Sequence, residues 1–242
     1  MKNTKFELTS EKNNFGEFRI RALCDFGDVK KGDLGGFVDS ESCLDANPED
    51  LSWIYDNSRV CNGSRVYNNS IVDNGSSVDN NSIVNNGSRV YNSRVSNNSR
   101  VSNNSHVNNS IVNNGNCVDN SRVYNSIVYN SRVSNNSRVS NNSHVDNSIV
   151  NNGNCVDNSI VTINTMSISG QIWDITFTDD KIKIGCQNHT HEEWQSFTDD
   201  EISKMHNDAL SWWNKWKGII IGMSSIHRQK VENAKHANRA TK

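Results

Sequence analysis

The side chains able to do chemistry in this sequence fall into two groups. The first is compact: Cys186, His189 and His191 lie within CQNHTH, followed by Glu192 and Glu193. Such a cluster could ligate a metal, or His191 could act as a base beside its carboxylate neighbours. Cys-x2-His-x-His lacks the paired spacing of a structural zinc site, so no metal is expected. A surface turn leading into a helix accounts for the same letters. The second group is dispersed. Arg65, Arg89, Arg94, Arg100, Arg122, Arg132 and Arg138 recur in a polar tract, with His106 and His144 at equivalent places. Guanidinium forks suit phosphate and carboxylate oxygens, which makes anion binding the sharper role and a solvated, solubilising face the blander one. Neither histidine has a recognisable carboxylate to orient it. The chain has no Gly-rich phosphate loop and no nucleophile elbow.

The elements that position these groups follow from an unusual composition. Only 33% of the 242 residues are apolar, yet the net charge is −2. The polar residues are periodic rather than scattered, which marks a repeat protein rather than a disordered one. Six cysteines occur without a Cys-x-x-Cys pair. The opening MKNTKFELTSEKNN lacks the apolar core of a signal peptide, and no run of apolar residues is long enough to span a bilayer. Reduced thiols and a cytoplasmic location, in a bacterial cell or a phage-infected host, are the expectation.

From Tyr55 to Val161 the unit is Ser-x-Val plus two or three polar residues. Of the 18 intervals between successive valines, 11 are six residues long and seven are five. A helix would need apolar positions three and four apart. Ser-x-Val instead reads as a short extended segment, with Ser and Val facing in and x facing out. Asn-Asn, Asn-Gly or Asp-Asn then forms a corner, because Asn and Gly tolerate left-handed backbone angles. Short strands alternating with corners predict an all-β solenoid. With three walls per coil, the repeat makes about six coils stacked roughly 4.8 Å apart, with Asn ladders at the corners. The same period extends upstream to Val38, Leu44 and Ile54. The ten-residue interval from Leu44 to Ile54 predicts a loop over 45–50.

Tyr91–Ser121 and Tyr129–Ser159 match at 30 of 31 positions, an offset of 38 residues or seven valine steps. Seven is not a multiple of three, so Arg94, Arg100 and His106 must change walls when they reappear as Arg132, Arg138 and His144. A copy displaced in this way favours a tolerant scaffold over one tuned ladder of arginines. The outward x positions also include Ile71, Ile83, Ile111, Ile127, Ile149 and Ile160, an apolar display that needs a partner.

Both solenoid ends need caps. Residues 1–33 read as an N-terminal cap, 34–168 as the parallel β-helix, and 169–242 as a C-terminal cap. QIWDITFTDDKIKIG predicts a hairpin turning at Asp179-Asp180. Thr198 and Glu201 form a capping box, and Ile202, Met205, Leu210, Trp213, Trp216 and Ile220 a helical stripe broken near Asn207. The polar tail after Ile226 is expected to fray.

RIRALCDFGDVKKGDLGGFV at 19–38, the Asn-rich coils, and IKIGCQNHTHEEW at 182–194 before a Trp-rich helix resemble one group of proteins. These are bacterial and phage hexapeptide-repeat proteins, labelled uncharacterised or as acetyltransferases, and the resemblance covers nearly the whole chain. It implies a left-handed parallel β-helix and a homotrimer. It also raises coenzyme A-dependent acyl transfer, in which a histidine such as His106, His144 or His189 would act as general base beside an inter-subunit groove. Three functions stand side by side. The first is a non-enzymatic trimer holding small anions such as nucleotides in Arg-lined grooves; in a phage setting it would sequester a host signalling nucleotide as counter-defence, without a cofactor. The second is an acyltransferase using coenzyme A. The third is a structural spacer. No membrane and no duplex nucleic acid partner is expected.

Overall fold

A computed structural model describes residues 3–240 except 114–116, 120, 130, 134–137, 141–142, 147, 151–153, 158, 164 and 170–171. Its body is a parallel β-solenoid with three walls. The first wall is part of a ten-stranded sheet. Its parallel rungs run from Leu34–Val38 through Arg59–Val60, Ser77–Val78, Arg94–Ser96, Ile111–Asn113, Ile127–Tyr129 and His144–Asp146 to Ile160–Val161. The second wall has seven strands, from Trp53–Ile54 to Cys155–Asp157, and the third has six, from Arg65–Val66 to Ile149–Val150.

Each structural role follows from a residue type. All nineteen valines of the repeat are at most 1% exposed, and they form one continuous core. Burying each contributes about 1.5–3 kcal/mol. Among the described residues, each serine two residues before one of these valines is buried as well, and its hydroxyl has a specific task. Ser70 N–H donates to Ser52 Oγ at 2.9 Å, Ser88 N–H to Ser70 Oγ at 3.2 Å, and Ser105 N–H to Ser88 Oγ at 3.2 Å. A chain of side-chain oxygens thus satisfies amides that turn inward at each corner.

The corners explain why five- and six-residue steps coexist. Six-residue steps place two consecutive residues in the left-handed region, as at Asn68 (φ 53°) and Asn69 (φ 60°), or Asn62 (φ 54°) and Gly63 (φ 74°). Five-residue steps place only one, at Asn92 (φ 42°), Asn109 (φ 48°) and Asn125 (φ 45°). The expected ladders form. Asn68 Nδ2 donates to Asn86 Oδ1 and Asn86 Nδ2 to Asn103 Oδ1, each at 3.0 Å.

At the N-terminal end the antiparallel strands Phe6–Lys12 and Phe18–Ala22 extend the first wall. Gly36 lets this cap close on the first coil, since a Cβ there would lie 2.3 Å from the Ser58 carbonyl oxygen. The predicted loop leaves the coil between Leu44, which bridges Val66, and Trp53, which pairs with Ile71. Its Asp50 meets the fully buried Lys5 at 3.5 Å, tying loop to cap.

At the other end Met166–Ile168, Ile175–Phe177, Lys181–Ile184 and Gln187–Thr190 form a four-stranded antiparallel sheet. Its turn at Asp179-Asp180 covers the last rung of the first wall. Asp179 N–H donates to Ile160 C=O at 3.0 Å, and Ile160 N–H to Asp180 Oδ1 at 2.9 Å. Three helices follow: α1 (His191–Ser196), α2 (Asp199–Met205) and α3 (Ala209–Ala240). Thr198 and Glu201 form the expected capping box, and Thr190 with Glu193 forms a second. Ile175, Phe177, Ile182 and Ile184 pack against Trp194, Ile202, Trp212, Trp213 and Ile220 as a separate core.

Two expectations are corrected here. The segment after Ile226 does not fray but continues α3 to Ala240. It is rich in strong helix formers, and buried His227 and Val231 hold it down. The segment expected to be a surface turn leading into a helix does lead into α1, but most of it is a strand. Only Gly185-Cys186 turn, and the chain then pairs as a strand before α1 begins at the buried His191.

Candidate anion-binding face

Strand register determines which outward side chains become neighbours. On the second wall, successive coils align Trp53, Ile71, Arg89, His106, Arg122, Arg138 and Cys155 in one column. Four consecutive positions, Arg89 to Arg138, therefore carry basic side chains, all exposed. Adjacent members are about 4.8 Å apart along the solenoid axis, so the run spans about 14 Å. Among the described residues, no ion pair within 4 Å holds Arg89, Arg122 or Arg138. Arg94 on the first wall, by contrast, pairs with Asp79 at 3.3 Å.

The stacking shifts the titration of its histidine. The His106 imidazole is pushed below its ordinary range, first by partial burial and then by the charges of Arg122 and Arg89. Burial first, and like charge after it, thus favour the neutral ring, which can both donate and accept a hydrogen bond. Two residues along each rung a second column runs Asp73, Tyr91, Asn108, Tyr124. Tyr91 is 40% exposed and Tyr124 half-buried, so aromatic surface lies beside the cations.

The other expected site residues are distributed elsewhere. Arg94 and His144 stand on the first wall, where His144 lies between Ile127 and Ile160. The third wall aligns Arg65, Ile83, Arg100, Cys117, Arg132 and Ile149, so its arginines are interrupted. Arg65 lies over the Tyr67 ring at 5.5 Å. The side chain of Arg132 lies outside what the structure describes. His106 and His144, copies in sequence, occupy different walls, as the seven-step offset requires. His189 is in the C-terminal cap, edge-on to Trp194 and Phe197, with Nε2 3.1 Å from Gln187 Oε1. The three histidines are not brought together.

The compact cluster is also dispersed. Cys186 is exposed, whereas His191 faces the interior. Its Nε2–H donates to the Thr178 carbonyl at 2.9 Å, and its Nδ1 accepts from the Ser224 hydroxyl at 2.7 Å. Among the described residues, no group of three His, Cys, Asp or Glu side chains could hold a metal ion.

The basic column is the feature that sequence reasoning missed. Arg89 precedes the duplicated block, His106 belongs to its first copy, Arg122 to the spacer and Arg138 to its second copy. Reading x residues at every third valine would have revealed it. Among the described residues, no helix is long and apolar enough to cross a membrane. No protein-family model matches the chain, and no curated protein matches it.

Proposed function

We propose that this protein is a binding protein for small phosphate-bearing molecules, nucleotides among them, held along the Arg89–His106–Arg122–Arg138 column. The observation that carries the reading is the uninterrupted run of basic side chains lacking ion-pair partners among the described residues. Arg122 and Arg138 at one coil spacing and Arg89 two coils from Arg122 repel one another, and an anion lying along them relieves that repulsion while accepting charge-assisted hydrogen bonds. Tyr91 and Tyr124 supply stacking surface for a base. The column can present its donors to two or three phosphoryl groups, because its length is about that of a nucleoside diphosphate.

In this reading the molecule is a homotrimer. Ile111, Ile127, Ile149 and Ile160, between 41% and 49% exposed on the other two walls, are the surface that a second copy covers. The basic wall then lines a groove between subunits. Sequestration of a signalling nucleotide during phage infection is the corresponding biological role.

The test is mass spectrometry of small molecules released from purified, heat-denatured protein, followed by calorimetric titration with adenosine monophosphate and pyrophosphate. A released nucleotide, with binding weakened at least about a hundredfold by Arg89→Gln/Arg122→Gln but not by Arg94→Gln, is expected, at about 1.5–3 kcal/mol for each charged hydrogen bond lost. Light scattering of the same samples checks the trimer. Recovered coenzyme A with acyl turnover dependent on His106, His144 or His189 would instead establish the acyltransferase. An empty preparation that binds neither probe would leave the spacer.

A further inference from the structure

On the second wall, the residue two places after each basic side chain shares its outward face, about 7 Å further along the rung. Tyr91, Asn108 and Tyr124 occupy this step on successive coils, beside Arg89, His106 and Arg122. Asn108 is half-buried, one coil from each tyrosine, and among the described residues its carboxamide makes no hydrogen bond. Amides at the same step of the other two walls are engaged. Asn85 Nδ2 donates to the Tyr67 hydroxyl at 2.8 Å, and Asn113 Oδ1 accepts from Asn97 Nδ2 at 2.7 Å. Asn109, next in the chain, donates to Asn125 Oδ1 at 3.1 Å.

The duplication bears on the same position. Of the 31 residues that align between the two copies, only this one differs, being Asn108 in the first and Asp146 in the second. Asp146 stands on the first wall beside Tyr129, away from the basic column. The side chain next to the column is thus an amide, which offers a donor and an acceptor together. A carboxylate there would only accept, and its charge would repel a phosphate.

We infer that Asn108 is a specificity-determining residue that reads a nucleobase, and that the ligand class is an adenine nucleotide rather than a bare polyphosphate or a sugar phosphate. This rests on the binding of phosphate by the basic column. With the phosphate on that column, the ribose bridges the step along the rung, and the base lies against Tyr91 or Tyr124. Its edge then meets the Asn108 carboxamide. An amide pairs at two points with an edge that sets a donor next to an acceptor, as the 6-amino group and neighbouring ring nitrogen of adenine do.

Calorimetric titration of the full chain with adenosine monophosphate, purine riboside monophosphate and pyrophosphate tests this, since purine riboside lacks only the 6-amino group. The unaltered protein is expected to bind adenosine monophosphate about tenfold more tightly than purine riboside monophosphate, the discrimination of a two-point pair. Asn108→Leu is expected to bind the two nucleotides equally while keeping its affinity for pyrophosphate, which also reports that the coils remain folded. Equal affinity of the unaltered protein for the two nucleotides, with pyrophosphate still bound, overturns the role of Asn108 and leaves the basic column standing. A preference for adenosine monophosphate that survives Asn108→Leu does the same. Failure of the unaltered protein to bind any of the three probes overturns the column, and the reading of the base with it.

Discussion

Replacing Ser88 by alanine tests the logic of the coil interior. In an apolar core, exchanging a buried hydroxyl for hydrogen is commonly neutral or stabilising, because a polar group leaves a low-dielectric environment. Here the opposite sign is expected. Ser88 is 1% exposed, and its Oγ is the acceptor for the Ser105 N–H at 3.2 Å. Its loss leaves a fully buried amide without a partner, a penalty of about 1–3 kcal/mol. The hydroxyl's own desolvation offsets part of this, so a net destabilisation of about 1–2 kcal/mol is expected. Urea unfolding followed by far-ultraviolet circular dichroism measures it, with Ser10→Ala on an exposed strand position as a control within about 0.5 kcal/mol. Because stacked repeats exchange energy with their neighbours, the midpoint and the slope must both be compared. A Ser88→Ala protein as stable as the parent, with the same slope, would refute the serine ladder as a source of stability.

Three further outcomes follow from the same geometry. His227 is fully buried with both ring nitrogens unpartnered, and burial first, then His191, pushes its pKa from 6.5 down to about 4. The neutral folded form is therefore fully stabilising above pH 6.5 and loses up to about 3 kcal/mol as pH falls toward 4; His227→Phe should flatten that slope in urea midpoints measured across this range. Gly36→Ala forces a Cβ to 2.3 Å from the Ser58 carbonyl oxygen, a backbone atom that cannot yield, and should lower the unfolding free energy by about 3 kcal/mol or more. An anion on the basic column must raise the depressed His106 pKa, so phosphate-ester affinity should increase as pH falls through the histidine range, and His106→Asn should remove that dependence in calorimetric titrations.

Much of this architecture was legible in the sequence because one side chain recurs at a nearly fixed step. A valine every five or six residues admits no helix, and the intervening Asn residues announce left-handed corners that the structure displays at Asn68, Asn69 and Asn92. The hairpin around Asp179 and the cap at Thr198 were equally readable, since each depends on local chemistry. What escaped were features set across the chain. The alignment of Arg89 with His106 depends on coil-to-coil register, with offsets of 17 and then 16 residues between pairs. The strand Gln187–Thr190 is polar in sequence and owes its form to pairing with Lys181–Ile184, a tertiary preference that outweighs local propensity. The extension of α3 to Ala240 was hidden by its polarity, although Ser224, His227 and Val231 are seated in the interior at three- and four-residue spacing.

The two kinds of corner give this molecule a vernier. A one-Asn corner and a two-Asn corner both return the chain to the same interior, so recombination between look-alike segments can add or remove material without disturbing the hydrophobic axis. What such an event changes is decoration. Gaining a whole number of coils preserves every vertical stripe beyond the junction, whereas the existing displacement of seven steps turned each stripe onto the adjoining side. Arg138 therefore lies beside Arg122, whereas its counterpart Arg100 in the other copy lies beside Ile83, so the displacement of the copy sets the length of the cationic stripe.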